Sequence, residues 1–243
     1  MRDQPVESLG RLHAANNLAC ALNAQGKHAE AEQMLRELLD VQRRVLGADH
    51  QRTLATTGNL AASLYGQGKH SEAEMMRHEL LDVQRRVLGS EHPDALRTAA
   101  NLANSLVVQG KHGTAEQMLC ELLDVQRRVL GSEHPGTLRT AGNIAISLGG
   151  QGRHSEAEQM LRELLDVHRR VLGVDHPGTL RITVILADSL DARGRHLEAE
   201  QMRHEKEVGL FDDFANETLA VFKDMANRLR KLKELAWPHG GLR

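Results

Sequence analysis

Histidine, cysteine, arginine and asparagine are the side chains of this 243-residue sequence with the most chemistry to offer. Fourteen histidines invite a metal centre, because neutral imidazole is a common zinc ligand. Nine of them are echoes, however. His28, His70, His112, His154 and His196 recur every 42 residues, and so do His50, His92, His134 and His176. Echoed positions on packed helices stand roughly 8–10 Å apart or more. Zinc ligands must converge to about 2 Å from one ion. There is no HExxH, and Cys20 and Cys120 stand in no ligand-like spacing. The histidines are therefore expected to pack the turns between helices, and no metal or cofactor is expected.

The doublets Arg43-Arg44, Arg85-Arg86, Arg127-Arg128 and Arg169-Arg170 could form a basic stripe for a polyanion. Asp40, Asp82, Asp124 and Asp166 each lie four residues before the second arginine, so i,i+4 pairing and the helix dipole account for them. A net charge of −2 gives no global field to draw nucleic acid or an anionic membrane, and neither partner is expected. No GxSxG and no G-x-x-x-x-G-K-[ST] is present, and the carboxylates read as repeated surface residues. An enzyme is not expected; catalysis and polyanion binding stay as remote alternatives.

Two ladders remain. Asn17, Asn59, Asn101 and Asn143 recur every 42 residues, and Arg97, Arg139 and Arg181 lie four residues before Asn101, Asn143 and Ile185. An amide carries both donor and acceptor, so it can hold the backbone of an extended peptide or bond a neighbouring helix. Arginine one helical turn away is suited to carboxylate or phosphate, or simply to a solvated face.

The elements that position these ladders follow from the period. ELLDVQRRVLGSEHP occurs twice unchanged, at Glu79–Pro93 and Glu121–Pro135. Leu96, Ala99, Ala103 and Leu106 are spaced 3, 4 and 3, one face of a helix, with Pro93 suited to its first turn. Gly110, like Gly26, Gly68, Gly152 and Gly194, supplies a left-handed turn, and a second helix follows. In the first unit that helix carries Ala31, Met34, Leu38, Val41 and Val45 at spacings of 3, 4, 3 and 4. Ser71 with Glu74 and Ser155 with Glu158 fit capping boxes at its start, and Gly47 and its equivalents close it. Five such helix pairs are expected, over about 8–49, 50–91, 92–133, 134–175 and 176–209. Aromatics are 2% of the chain, so the repeat core must be Leu, Ala, Val, Ile and Met.

Four of the five aromatics fall after residue 210. Phe211, Phe214, Phe222, Met225, Leu229 and Leu232 keep a helical rhythm that predicts a capping helix within 210–243, covering the last repeat's apolar face. The opening MRDQPVESLG has no apolar signal core, and the longest apolar run is Ile182–Ala187. Two cysteines in no paired spacing suit a reducing compartment, and a cytoplasmic location is expected.

The run HPDALRTAANLANSLVVQGKH (His92–His112), followed by the AE…ELLDVQRRVLG pattern of Ala115–Gly131, resembles the 42-residue tetratricopeptide repeats of kinesin light chains and nephrocystin-3-type proteins. Small residues recur at Ala61, Ala103 and Ala145 and at Ala73, Ala115 and Ala157, and the resemblance covers about residues 8–208. It implies an all-α, right-handed superhelical solenoid whose first helices line a concave groove. It places in that groove Asn16 and Asn17, Asn59 and Tyr65, Arg97, Asn101 and Asn104, Arg139 and Asn143, and Arg181, from the five units in turn. The expected function is a non-catalytic protein-interaction scaffold or cargo-adaptor-like module, binding an extended, acidic peptide of a protein partner. An alternative is a self-masking module whose C-terminal helix occupies the groove.

Overall fold

The computed structural model describes residues 4–204, with side chains from residue 10; the expected helix within 210–243 lies outside the described residues. The chain is an all-α repeat solenoid of paired helices. The pairs are α1 (Gln4–Ala24) with α2 (His28–Val45), α3 (Gln51–Gly66) with α4 (His70–Leu88), α5 (Pro93–Val108) with α6 (His112–Val129), and α7 (Pro135–Gly150) with α8 (His154–Leu172). The last pair is α9 (Pro177–Ala192) with α10 (196–204). Two compact units divide between Ala157 and Glu158, within α8.

In the first unit consecutive helices pack on one another, α1 also lies against α3, and α5 against α7. The small alanines make this approach possible. Ala19, Ala31, Leu35, Leu39, Leu60, Leu64 and Ala73 form one buried cluster drawn from α1, α2, α3 and α4. Leu81, Ala95, Leu96, Ala99, Leu102 and Leu122 form another from α4, α5 and α6. In the second unit Leu161, Leu165, Ile182, Leu186, Ala187, Leu190 and Ala199 are buried.

The turn within each pair is a Schellman cap. Gly110 has φ 74°, Lys111 N–H donates to Leu106 O at 2.9 Å, and Gly110 N–H to Val107 O at 3.0 Å. The turn between pairs uses a device the sequence did not disclose. His50, His92 and His134 each cap the following helix, their Nδ1 accepting the N–H of the residue two further on at 3.0–3.2 Å. His176 does the same for α9 at 3.0 Å. Pro93 occupies the first turn as expected, and Pro135 does the same in α7.

Two local expectations are overturned. Ser71 and Glu74 form no capping box: the N-cap of α4 is Lys69, and no side chain caps that end. Glu74 instead accepts from Gln109 Nε2 at 2.7 Å and Lys111 Nζ at 2.8 Å, in the turn of the next pair. The Asp–Arg i,i+4 pairs do not form in the first unit either. Arg86 reaches Asp49 at 3.2 Å, Arg128 reaches Glu91, and Arg44 meets the backbone carbonyl of Asp40. An arginine side chain is long enough to reach the loop of the preceding pair, where an acidic residue waits.

The Glu74 contact is a repeated joint. Glu32 accepts from Gln67 and Lys69, each at 2.7 Å. Glu116 accepts from Gln151 and Arg153, again at 2.7 Å. In the second unit Glu158 is held by Arg162, Arg193 and Arg195. These carboxylates join one helix pair to the next.

Bonding from Lys69 above all, helped by Gln67 and Arg36 and opposed by burial, holds the Glu32 carboxyl at about 2, against an ordinary 4.5. A depressed carboxyl stabilises the fold fully above its unfolded pKa, and the contribution fades as pH falls towards the folded value. The melting temperature of Glu32→Gln should therefore lie below that of the parent at pH 7. The gap should shrink as pH drops from 4.5 and close near pH 2, read by circular dichroism melts at stepped pH. A gap independent of pH would mean that the joint is not ionic.

Candidate peptide-binding face

The ladder residues stand on α1, α3, α5 and α7 of the first unit and on α9 of the second. Their fates differ. Asn17 and the Asn101 side chain are exposed and bond nothing among the described residues, and the same holds for Asn104. Asn59 is spent inside the fold: its Nδ2 donates to Asn16 Oδ1 at 3.0 Å and to Cys20 Sγ at 3.2 Å, across from α3 to α1. Asn16 also accepts from Thr56 Oγ1 at 3.3 Å. Asn143 is buried, at 8% exposure. The structure thus brings Asn16 and Asn59 together and leaves Asn17, Asn101 and Asn104 open.

The arginines differ in the same way. Arg97 is exposed and pairs with Asp94 at 2.9 Å, one turn back on α5. Arg139 is exposed and forms no ion pair among the described residues. Arg181, on α9, is exposed too. Beside Asn16 a cavity of about 240 Å³ is lined by Leu12, His13, Gln42, Gln51, Arg52, Ala55 and Thr56.

Tyr65 is half-buried on α3 and keeps company that sequence reasoning missed. The His70 ring meets it edge-on with centroids 4.9 Å apart, and Arg77 lies over its face, also at 4.9 Å. His70 is placed here by its neighbours in the period. The equivalent His28 and His112 rings fill the space beside Gly66 and Gly150, where a Cβ would come within 2.6 and 2.3 Å of them. Val108 stands at that position in the pair that follows His70, so the space those rings use is not free there. Arg77 was legible only as a break in a leucine register.

No group of three or more His, Cys, Asp or Glu among the described residues is placed to hold a metal ion. No helix among the described residues is long and apolar enough to cross a membrane.

The profile of the tetratricopeptide repeat family matches residues 10–76, 53–127, 99–169 and 148–202. Among solved structures, a kinesin light chain-type protein of Podosopora anserina with nearly identical TPR-like repeats is 26% identical. It has a TM-score of 0.72, over 82% of this chain and 93% of that chain. BtubC (BKLC) from P. vanneervenii is 18% identical, with a TM-score of 0.68 over 99% of this chain and 87% of its own. A Rap protein complexed with competence and sporulation factor is 12% identical, with a TM-score of 0.64 over 80% of this chain and 52% of its own. The last two likenesses are of fold. A search of the curated proteins finds no match.

Proposed function

Because this chain belongs to the tetratricopeptide repeat family, we propose that it is a non-catalytic protein-interaction scaffold of the adaptor kind. In this reading its first helices take up an extended, acidic peptide. The observation that carries the reading is the set of polar side chains that the first helices leave unspent. The polar residues at Glu32, Glu74 and Glu116 on the second helices are consumed in joints between pairs. On the first helices Asn17, Asn101 and Asn104 keep unspent amides, and Arg139 keeps an unpaired guanidinium, among the described residues. Amides that bond nothing at home suit a peptide backbone, which presents alternating donors and acceptors whatever its sequence. Guanidiniums add preference for carboxylates. The Rap protein complexed with its factor is a case of this fold holding another molecule.

A peptide library of acidic and neutral sequences, presented to the whole chain, tests this. Arg97→Ala/Arg139→Ala should weaken binding of the acidic members about tenfold, the loss of roughly 1.4 kcal/mol of charge-assisted contact. Neutral members should change little. Unchanged affinity for acidic members would end the reading.

A further inference from the structure

Two helix pairs carry a charge where the other three carry leucine: Arg203 on α10, which pairs with Asp188 and Asp191, and Arg77. Arg77 on α4 stands in the register of Leu35, Leu119 and Leu161. Those three are fully buried, and Arg77 is 7% exposed. Its guanidinium crosses to the first helices on both sides. It lies over the Tyr65 ring of α3, and on α5 its Nη1 donates to Asn101 O at 3.2 Å and to Ser105 Oγ. No carboxylate pairs with it among the described residues.

The first pair satisfies the same seam without a charge. There Asn23 Oδ1 accepts from Ser63 Oγ at 2.9 Å and shares a bond with His28 Nδ1 at 3.1 Å. Tyr65 stands 42 residues after Asn23, and Ser105 stands 42 after Ser63. Where the first pair has asparagine the second has tyrosine and no amide, and arginine reaches in from the position that is Leu35 in the first pair. Burying a lone cation is costly unless something pairs with it. Two neutral acceptors and a ring face leave that cost incompletely offset.

The unused part of the guanidinium says what would offset it. Nη1 makes the internal bonds, while Nε and Nη2 make none among the described residues. Neither is fully enclosed: the enclosed atoms that lack partners are Gln42 Oε1, His70 Nδ1, Gln84 Oε1, His112 Nδ1 and Gln126 Oε1. Nε and Nη2 together form the side-on edge of the group, which meets a carboxylate through two parallel N–H···O bonds.

We propose that Arg77, backed by Tyr65 and anchored on Asn101 and Ser105, receives one carboxylate, that of an aspartate or glutamate in a peptide lying along the first helices. The peptide context rests on the function proposed above; the carboxylate site is tested apart from it. The site also gives that peptide a register. A ligand read only by elements that return every 42 residues could bind shifted by one repeat. Arg77 with Tyr65 breaks the repetition, because the other arginine of this register, Arg203, is already paired with Asp188 and Asp191, so an acid placed at Arg77 admits a single alignment.

Tyr65 is the only tyrosine, so a chain made with 3-fluorotyrosine carries one fluorine reporter, beneath the Arg77 guanidinium. The probe is N-acetylglutamate N-methylamide, with the neutral glutamine analogue as control, titrated by ¹⁹F NMR. The glutamate probe should give a saturable shift and the glutamine analogue none. Arg77→Leu places there the residue of three sibling repeats and should fold, yet lose the shift. Arg77→Lys keeps the charge without the planar edge and should bind the probe at least fivefold more weakly. A non-saturating shift, or the same shift in Arg77→Leu, overturns the site. Because the probe is a single residue, that failure leaves the peptide-library result standing, and a failed library leaves this titration standing.

Discussion

Leu119→Arg should cost the fold about 3–5 kcal/mol, the penalty for a buried charge left without compensation. Leu119 is fully buried and occupies, one repeat on, the position of Arg77. The same substitution that the second pair carries should fail in the third because the surroundings differ. Val107 stands where Tyr65 does, so there is no ring face for the cation. Ser147 donates to Asn143 O and sits in a seam without a tyrosine. A guanidinium placed there exchanges water for Leu and Ala side chains. Urea unfolding of the whole chain measures the cost, and hydrogen exchange should show lost protection concentrated in α6 and α7. A loss under 1 kcal/mol would mean that any seam of this solenoid can pass a guanidinium, and the Tyr65 setting would lose its significance.

That comparison marks how far the sequence could be read. The 42-residue period announced the helix pairs, the Gly110-type turns and Pro93 in a first turn, because each depends on backbone preferences carried by a few local residues. Polar partners were not announced, because partner choice is decided by reach between pairs. Glu74 has a serine three residues before it, as a capping box requires, and also Lys111 37 residues after it. Only packing shows that the distant lysine takes it. Asp82 and Asp49 both lie within reach of Arg86 in principle, and the loop residue prevails. The asparagine ladder looks uniform as letters, yet Asn59 is consumed by Asn16 and Cys20 while Asn101 is open, since their neighbours on the adjoining first helices differ. Arg77 had one signal, departure from Leu35, Leu119 and Leu161, and a charged residue on an amphipathic helix is ordinarily read as surface.

Arg77→Leu should move stability the other way, raising it by about 1–4 kcal/mol, as replacement of buried ionic groups by well-packed apolar residues often does. Burial pushes the Arg77 guanidinium below its ordinary pKa, with the Tyr65 hydroxyl acting weakly in the opposite direction, so desolvation dominates its surroundings. Removing it strands no polar group: Ser105 Oγ still donates to Asn101 O at 3.0 Å. Leucine is the residue that three of the other four pairs bury at this point, so the backbone spacing already suits it. For a chain of this size the gain corresponds to roughly 2–4 °C in melting temperature per kcal/mol. Chemical denaturation beside thermal melts checks the sign. An unchanged or lowered stability would mean that the bonds to Asn101 and Ser105 and the tyrosine face fully repay desolvation, making Arg77 a structural strut. A gain would mean that the fold tolerates at Arg77 a destabilising charge without a carboxylate among the described residues. Stability given up at a position where three of the siblings keep leucine is what a binding residue requires, because the guanidinium edge must stay unspent at home to be spent on a partner's acid.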